Sequence, residues 1–229
     1  MQPYFFPYIG YWQLLKSVDR FVLLDDVNYI PGGWINRNRI LINRQPAYFT
    51  IPLIGASQNR KICDIEITRE TDWRAKLLKT LSVTFKNAPG FADAFEPIAN
   101  IIAFESSNLA DYLYNELASM AALLNIDTQI IRSARTYANA ELKGEKRILD
   151  ICAKNQTQIY VNLPGGRTLY DPAAFDSNGV ALRFVNPRLI PYSQRANPDF
   201  VPQLSIIDLL MNVGLKQMQE HLSSYSLEV

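Results

Sequence analysis

At 229 residues the chain is long enough to bury a substantial core without disulfides or metals. Its 48% hydrophobic and 20% charged content is ordinary for a soluble globular protein. A net charge of +1 gives no global attraction to nucleic acid or to a membrane surface. No apolar run is long enough to span a bilayer and no secretory signal is evident, so the chain is read as cytoplasmic. The two cysteines, Cys63 and Cys152, lack any Cys-x-x-Cys or Cys/His spacing. No structural zinc site is expected, and no metal or cofactor is implied.

In chain order, residues 9–18 fit a short amphipathic helix, with Ile9, Trp12 and Leu15 on one face. Arg20 to Asp25 is an apolar run closed by acids, the length of a buried strand. Residues 27–35 hold Pro31-Gly32-Gly33 and form a loop. Arg39 to Ile42 and Ala47 to Leu53 read as a hairpin around Asn43 to Pro46. Ile62 to Thr68 alternates as a strand, with Cys63, Ile65 and Ile67 on the inner face. Thr71 is placed to cap a helix over Asp72 to Phe85 whose apolar spacing is Trp73, Leu77, Leu81, Phe85. Phe91 to Phe104 is a second helix that Pro97 kinks or splits. Ser106 or Ser107 caps a third, to Leu124, and a strand follows at Gln129 to Arg132.

The second half alternates more regularly. Glu145 to Lys154 is a helix, Thr157 to Leu163 a strand, and Val180 to Val185 another. A Pro-rich polar loop covers residues 186–202. Ser205 opens a capped helix to Asn212 with Asp208 as its third residue. Gly214 ends that helix, and a last one spans Lys216 to Leu222. The pattern implies an α/β fold: a mixed β-sheet with flanking helices and a helix-rich middle segment. One domain over residues 1–229 is expected, with residues 71–125 as a helical cap.

Polar and charged groups cluster at three places. Asp25 and Asp26 follow a buried strand, where open α/β sheets bind ligands. Paired carboxylates there suit Mg²⁺ or a general base, although neighbours in a strand point to opposite faces. A solvated turn or an ion pair with a nearby arginine is the plainer reading. Asn36, Arg37, Asn38 and Arg39 come next. The arginine fork suits phosphate or carboxylate; alternatively Arg37 and Arg39 neutralise Asp25 and Asp26. Without a broad basic patch, nucleic acid is not an expected partner. Gly165-Gly166 could cradle an anion with backbone N–H groups, flanked by Asn162, Tyr170 and Asp171. A tight turn explains those glycines more simply.

Gln2, Asn28 and Trp34 lie in the same early stretch as the acids and arginines. Of the aromatics from Tyr4 to Trp12, most are expected in the core. Cys63 and Cys152 read as buried thiols. The sole histidine, His221, reads as exposed, so no histidine-based triad is supported.

Five stretches resemble the WbqC-like protein family of bacteria. They are QPYFFPYIGYWQLL, FVLLDDVNYI with GWINRNRIL, the run Phe85 to Pro89, YVNLPGGRTLYD, and FVPQLSIIDLLMNVG. They cover nearly the whole chain in the family's order. The resemblance implies a role in O-antigen and other surface polysaccharide biosynthesis, as a transferase moving an aminoacyl or acyl group onto an amino sugar. The implied partners are a nucleotide- or phosphate-linked amino sugar and an acyl or peptidyl carrier protein. On that basis Asp25 or Asp26 would take the amine proton while Arg37 or Arg39 holds an anionic group. The competing reading is a non-catalytic module that binds a glycan precursor or a carrier protein. Relatives carry apolar residues before the Gln-Pro, and a Lys-His pair where this chain has Arg74 to Leu77.

Overall fold

Aromatic side chains of the opening stretch form the centre of the larger core. The computed structural model describes residues 1–194, 197 and 199–229; Arg195, Ala196 and Pro198 of the expected Pro-rich loop lie outside the described residues. Phe5, Phe6, Tyr11 and Trp12 have no exposed surface. The Phe5 ring meets Phe6 at 5.0 Å, Phe49 at 5.3 Å, and Trp73 and Tyr112 at 6.1 Å. One side chain thereby ties together four separate parts of the chain. Such ring pairs each add about 0.5–1.5 kcal/mol beyond the area they bury.

Helix α1 (Ile9–Lys16) is buried along most of its length. The Gln13 amide docks it on α8 (Leu215–Ser223), donating to the carbonyls of His221 and Ser224 at 2.7 and 2.9 Å. Strand β1 (Arg20–Val22) runs parallel to β6 (Gln129–Ile131). On its other edge, Met1 donates to Val22 O and accepts from Leu24 N.

The hairpin is β2 (Arg37–Ile42) and β3 (Gln45–Thr50), with Ile42 facing Gln45. Its turn is therefore only Asn43-Arg44. Both have positive φ, 50° and 65°, the geometry that matches strand twist in two-residue hairpins. Strand β4 (Leu53–Ile54) pairs with β5 (Glu66–Ile67). The expected strand over Ile62 to Thr68 is shorter, because Ile62–Asp64 form a 3₁₀ turn. That turn buries Ile62, Ile65 and Ile67 and leaves Cys63 only half-buried.

The helix-rich middle is α2 (Trp73–Phe85), α3 (Phe91–Ala103) and α4 (Leu109–Leu123). Their periodicity reads correctly from the sequence, but the caps sit one or two residues later. Asp72 accepts from Ala75 N and Asn108 from Asp111 N, both at 3.1 Å, because the capping oxygen must reach the N3 amide. Helix α3 passes through Pro97 without ending.

A smaller core forms among α5 (Gly144–Lys154), β7 (Ile159–Asn162), α6 (Pro172–Ser177) and β8 (Ala181–Pro187), with β9 (Tyr225–Glu228) extending its sheet. Strand β7 is parallel to β8, with α6 in the crossover; β9 adds antiparallel on the far side. Leu182 and Phe184 of β8 face this core, and Val185 joins the larger one. The alternation of a strand thus makes β8 the wall between two cores. The architecture is α/β, with the strands shared among four small sheets in the described residues. No helix among those residues is long and apolar enough to cross a membrane.

Helix α7 (Ile206–Val213) crosses α3 at a glycine contact. A Cβ on Gly90 would lie 2.3 Å from Leu210 O and 2.6 Å from Gly214 N, and Gly90 N donates to Met211 O. Backbone atoms cannot yield as a flexible side chain can. Gly90→Ala is therefore expected to destabilise the protein by about 1–3 kcal/mol, the usual cost of overpacking. Urea unfolding checks this; an unchanged midpoint would remove the close approach as a constraint.

Candidate functional site

The site starts from the peptide groups of Phe5, Phe6 and Pro7. Phe6 has φ of 40°, a left-handed conformation that is costly for a side chain of this size. Polar groups from three distant elements hold it. Asn38 of β2 donates its amide to Phe5 O and Phe6 O at 3.0 and 2.8 Å. Ser205, the N-cap of α7, donates to Phe6 O at 2.8 Å. Phe6 N donates to Glu116 of α4 at 3.2 Å. Pro7 O accepts from Trp12 Nε1 and Ile206 N, both at 3.0 Å.

Above this floor lies a cleft of about 140 Å³ lined by Tyr4, Pro7, Tyr8, Trp34, Asn38 and Gln203. The Tyr8 ring folds over Gly10, where a Cβ would come within 2.5 Å of it, so glycine there leaves the ring room to lie at the cleft. Burial pushes the Tyr4 and Tyr8 phenols up from their ordinary range, which keeps them protonated as donors. Among the described residues, neither hydroxyl nor the Gln203 amide has a protein hydrogen-bond partner.

Trp34 closes the rim and belongs to a pair of stacked rings, each carrying one arginine. Its ring stacks on Tyr48 at 6.3 Å and 27°. The Arg39 guanidinium lies 5.3 Å from the Trp34 centroid, and that of Arg37 4.5 Å from Tyr48. Arg37 also donates to Gly32 O and Gly33 O, closing the loop before β2. Arg39 Nε is buried without a partner. Neither arginine neutralises Asp25 or Asp26, contrary to the pairing that sequence proximity suggests.

Those acids take partners from the second half. Asp25 accepts from Ser133 Oγ at 2.6 Å and pairs with Arg135 at 3.2 Å. Arg147 Nη2 of α5 donates to both carboxylate oxygens of Asp26, at 2.9 and 2.7 Å, with both side chains almost wholly buried. The chain of contacts continues through Asn139 to Asp150 and Lys154. The two carboxylates diverge to separate partners, as strand geometry favours, and do not converge on one ion.

The third cluster is separate again. Asn162 lies against Gly166, where a Cβ would approach its amide to 2.6 Å. Tyr160 donates to Tyr170 at 3.2 Å in the smaller core, and Asp171 caps α6. Gly165 has open space around it. Helix α5 links this cluster to the acids, since Glu145 accepts from Asp171 N. Gln2 contributes its carbonyl to Tyr11 OH; Asn28 is exposed and bridges to Lys61; Asn36 is buried between Tyr29 OH and Ile51 O. Trp34 and Asn38 are thus the sequence-named residues that line the cleft.

Glu116, Arg135 and Arg147 carry no sequence signal, because their partners are far away in the chain, and Gln203 reaches the cleft only through the fold. Burial pushes the Cys63 and Cys152 thiols up to about 11, which disfavours reactive thiolates. His221 is buried rather than exposed, packed 6.3 Å from the Tyr192 ring, and burial lowers its pKa. Asp208 is buried too, accepting from Leu41 N and Tyr192 OH.

The model of the WbqC-like protein family matches residues 2–220. An uncharacterized protein of Mycobacterium tuberculosis is 29% identical over 216 residues, covering 93% of this chain and 92% of that one. No solved structure matches significantly.

Removing one member of a buried pair leaves an uncompensated charge. Asp26→Asn is expected to cost about 3–5 kcal/mol; Asp25→Asn should cost less, because Arg135 is 58% exposed and can turn to water. Equal losses in denaturant unfolding would contradict this ranking.

Glu116 gives a pH test. Burial raises its carboxyl well above the usual range, against the weaker opposing pull of Phe6 N–H. The folded state holds a proton that the unfolded state releases above its ordinary pKa of about 4.3. Stability is therefore full below that value and falls as pH rises toward the folded pKa. Glu116→Gln removes the titration, so the variant's Tm advantage over the parent should grow from pH 4 to pH 8. A constant difference would argue against a buried titrating acid.

Proposed function

Because the chain belongs to the WbqC-like protein family, we propose that it serves surface-polysaccharide (O-antigen) biosynthesis by holding a phosphate-linked amino sugar beside Trp34. The observation that carries this reading is the meeting of an aromatic cleft with an arginine, Arg39, that has no acid partner among the described residues. Tyr4 and Tyr8 offer ring surface for the apolar face of a sugar. Their hydroxyls and the Gln203 amide are open for sugar hydroxyl or amine groups. Arg39, on the Trp34 ring, supplies a positive charge for the attached phosphate.

Transfer of an acyl or aminoacyl group to the sugar amine asks for more. It needs a base for the ammonium proton and an activated donor, such as a thioester on a carrier protein. Asp25 and Asp26 are held by Arg135 and Arg147, and neither lines the cleft. Binding of the precursor therefore has the stronger support, and acyl transfer is the second step of the proposal. Glucosamine 1-phosphate, a carrier-bound acyl thioester and the protein, incubated together, should yield the sugar amide if that step occurs here.

Binding has an optical readout. Trp12 is fully buried and Trp73 is 7% exposed, while Trp34 is 37% exposed. A sugar in the cleft should shift Trp34 emission on titration with glucosamine 1-phosphate. Trp34→Phe should abolish the shift, and Gln203→Ala should weaken binding without changing Tm. An equal shift in Trp34→Phe would place the sugar elsewhere.

A further inference from the structure

We propose that the cleft takes its amino sugar with the amine uncharged, so that the ammonium proton passes to solvent as the sugar binds. The inference rests on the reading of the cleft as an amino-sugar site and fixes the form of the ligand that it admits. The lining residues, Tyr4, Pro7, Tyr8, Trp34, Asn38 and Gln203, offer hydroxyl and amide groups and no carboxylate. An ammonium that leaves water needs an acid beside it, because burying its charge without a counter-charge is costly.

The charged groups of the neighbouring elements point the same way. From β2, Arg39 lays a positive guanidinium on the Trp34 ring, 5.3 Å from its centroid. From α4, Glu116 meets only the underside of the floor, where it accepts from Phe6 N, and burial favours its protonated form. From α7, Asp208 is buried and accepts from Leu41 N and Tyr192 OH. Asp199, on the loop that carries Gln203, is exposed and lines no part of the cleft. Arg195, Ala196 and Pro198 of that loop include no acid. Burial raises the Tyr4 and Tyr8 phenols, with Tyr4 adding to the effect on Tyr8; among the described residues no carboxylate contributes to either.

Aromatic faces also hold cations. Here Trp34 already carries Arg39 and stacks on Tyr48, and the Tyr4 ring leans on Tyr11 at 5.6 Å. The tyrosine hydroxyls and the Gln203 amide instead suit a neutral amine, which donates N–H and accepts through its lone pair. On binding, one N–H bond of the ammonium breaks, the electron pair stays on nitrogen and the proton goes to the buffer. The lone pair so freed is the nucleophile of an acyl transfer. A cleft that sheds the proton in this way has no need of Asp25 or Asp26 as the base.

Titrations of Trp34 emission in the full chain with glucosamine 1-phosphate and glucose 1-phosphate, from pH 7 to pH 9, test this. The second sugar carries the same phosphate and no amine, so the ratio of the two affinities isolates the amine. A sugar amine titrates much as an α-amino group does, at about 7.7–8.0. If only the uncharged form binds, the ratio favouring glucosamine 1-phosphate should rise about six- to tenfold across that range. Calorimetry at pH 7 in two buffers of different ionisation enthalpy should show release of nearly one proton per glucosamine 1-phosphate bound, and far less for glucose 1-phosphate. Gln203→Glu supplies the missing acid, so it should raise the ratio at pH 7 and flatten its rise. The parent's own ratio decides the case if that variant is unstable.

A ratio that stays constant or falls with pH would overturn the inference, because the ammonium would then bind as well as the amine. A rise that appears only in Asp199→Asn would also overturn it and name Asp199 as the acid that holds the ammonium. Either result leaves the sugar site standing while both sugars still shift Trp34 emission. Failure of both sugars to shift it at any pH would remove the sugar reading itself, and this inference with it.

Discussion

The left-handed peptide at Phe6 is the constraint on which the rest of the structure depends. Its conformation is unfavourable in isolation and persists because Asn38, Ser205 and Glu116 satisfy the backbone groups around it. Those three residues belong to the hairpin, to α7 and to α4. The bend also sends Phe5 into the ring of aromatics at the core and leaves Tyr4 and Tyr8 at the cleft. Core packing and site geometry thus share one cause. Glu116 is fully buried and its second oxygen has no partner, so the pin is costly as well as tight.

Charge is segregated along the chain, and the fold uses that segregation. The segment from Val27 to Cys63 has cations and no acids. The acids before it, Asp25 and Asp26, turn to arginines more than a hundred residues away. Had they paired with Arg37 and Arg39, the rim of the cleft would carry no net positive charge. Their actual pairing fastens the β1 end to the smaller core through α5 and leaves the hairpin arginines available. One set of charges is used in structure, and the other stays outside any ion pair among the described residues.

The Arg–aromatic row is held together by its own contacts. Each guanidinium lies on a ring, and the rings lie on each other, which lowers the entropy lost on binding an anion. Arg37 is further fixed by the glycine carbonyls of the preceding loop.

The sequence by itself determined the local elements. Apolar spacing indicated α1 and α2; the stretch from Asn43 to Pro46 indicated the hairpin, whose turn closes on Asn43-Arg44 alone; Ser205 indicated the start of α7. The family resemblance likewise rested on residues alone. Caps moved by one or two positions because Thr71 and Asp72, or Ser107 and Asn108, are chemically alike and only backbone geometry chooses between them. The tertiary structure alone decided which polar residues meet. Asp26 finds Arg147 at a separation of 121 residues and Phe6 finds Glu116 at 110. Gln203 reaches the cleft, and Cys63 turns partly outward in a 3₁₀ turn that its alternation does not suggest. Hydrophobic periodicity reports the face a side chain takes within its own element; it carries no information about which distant element will cover that face.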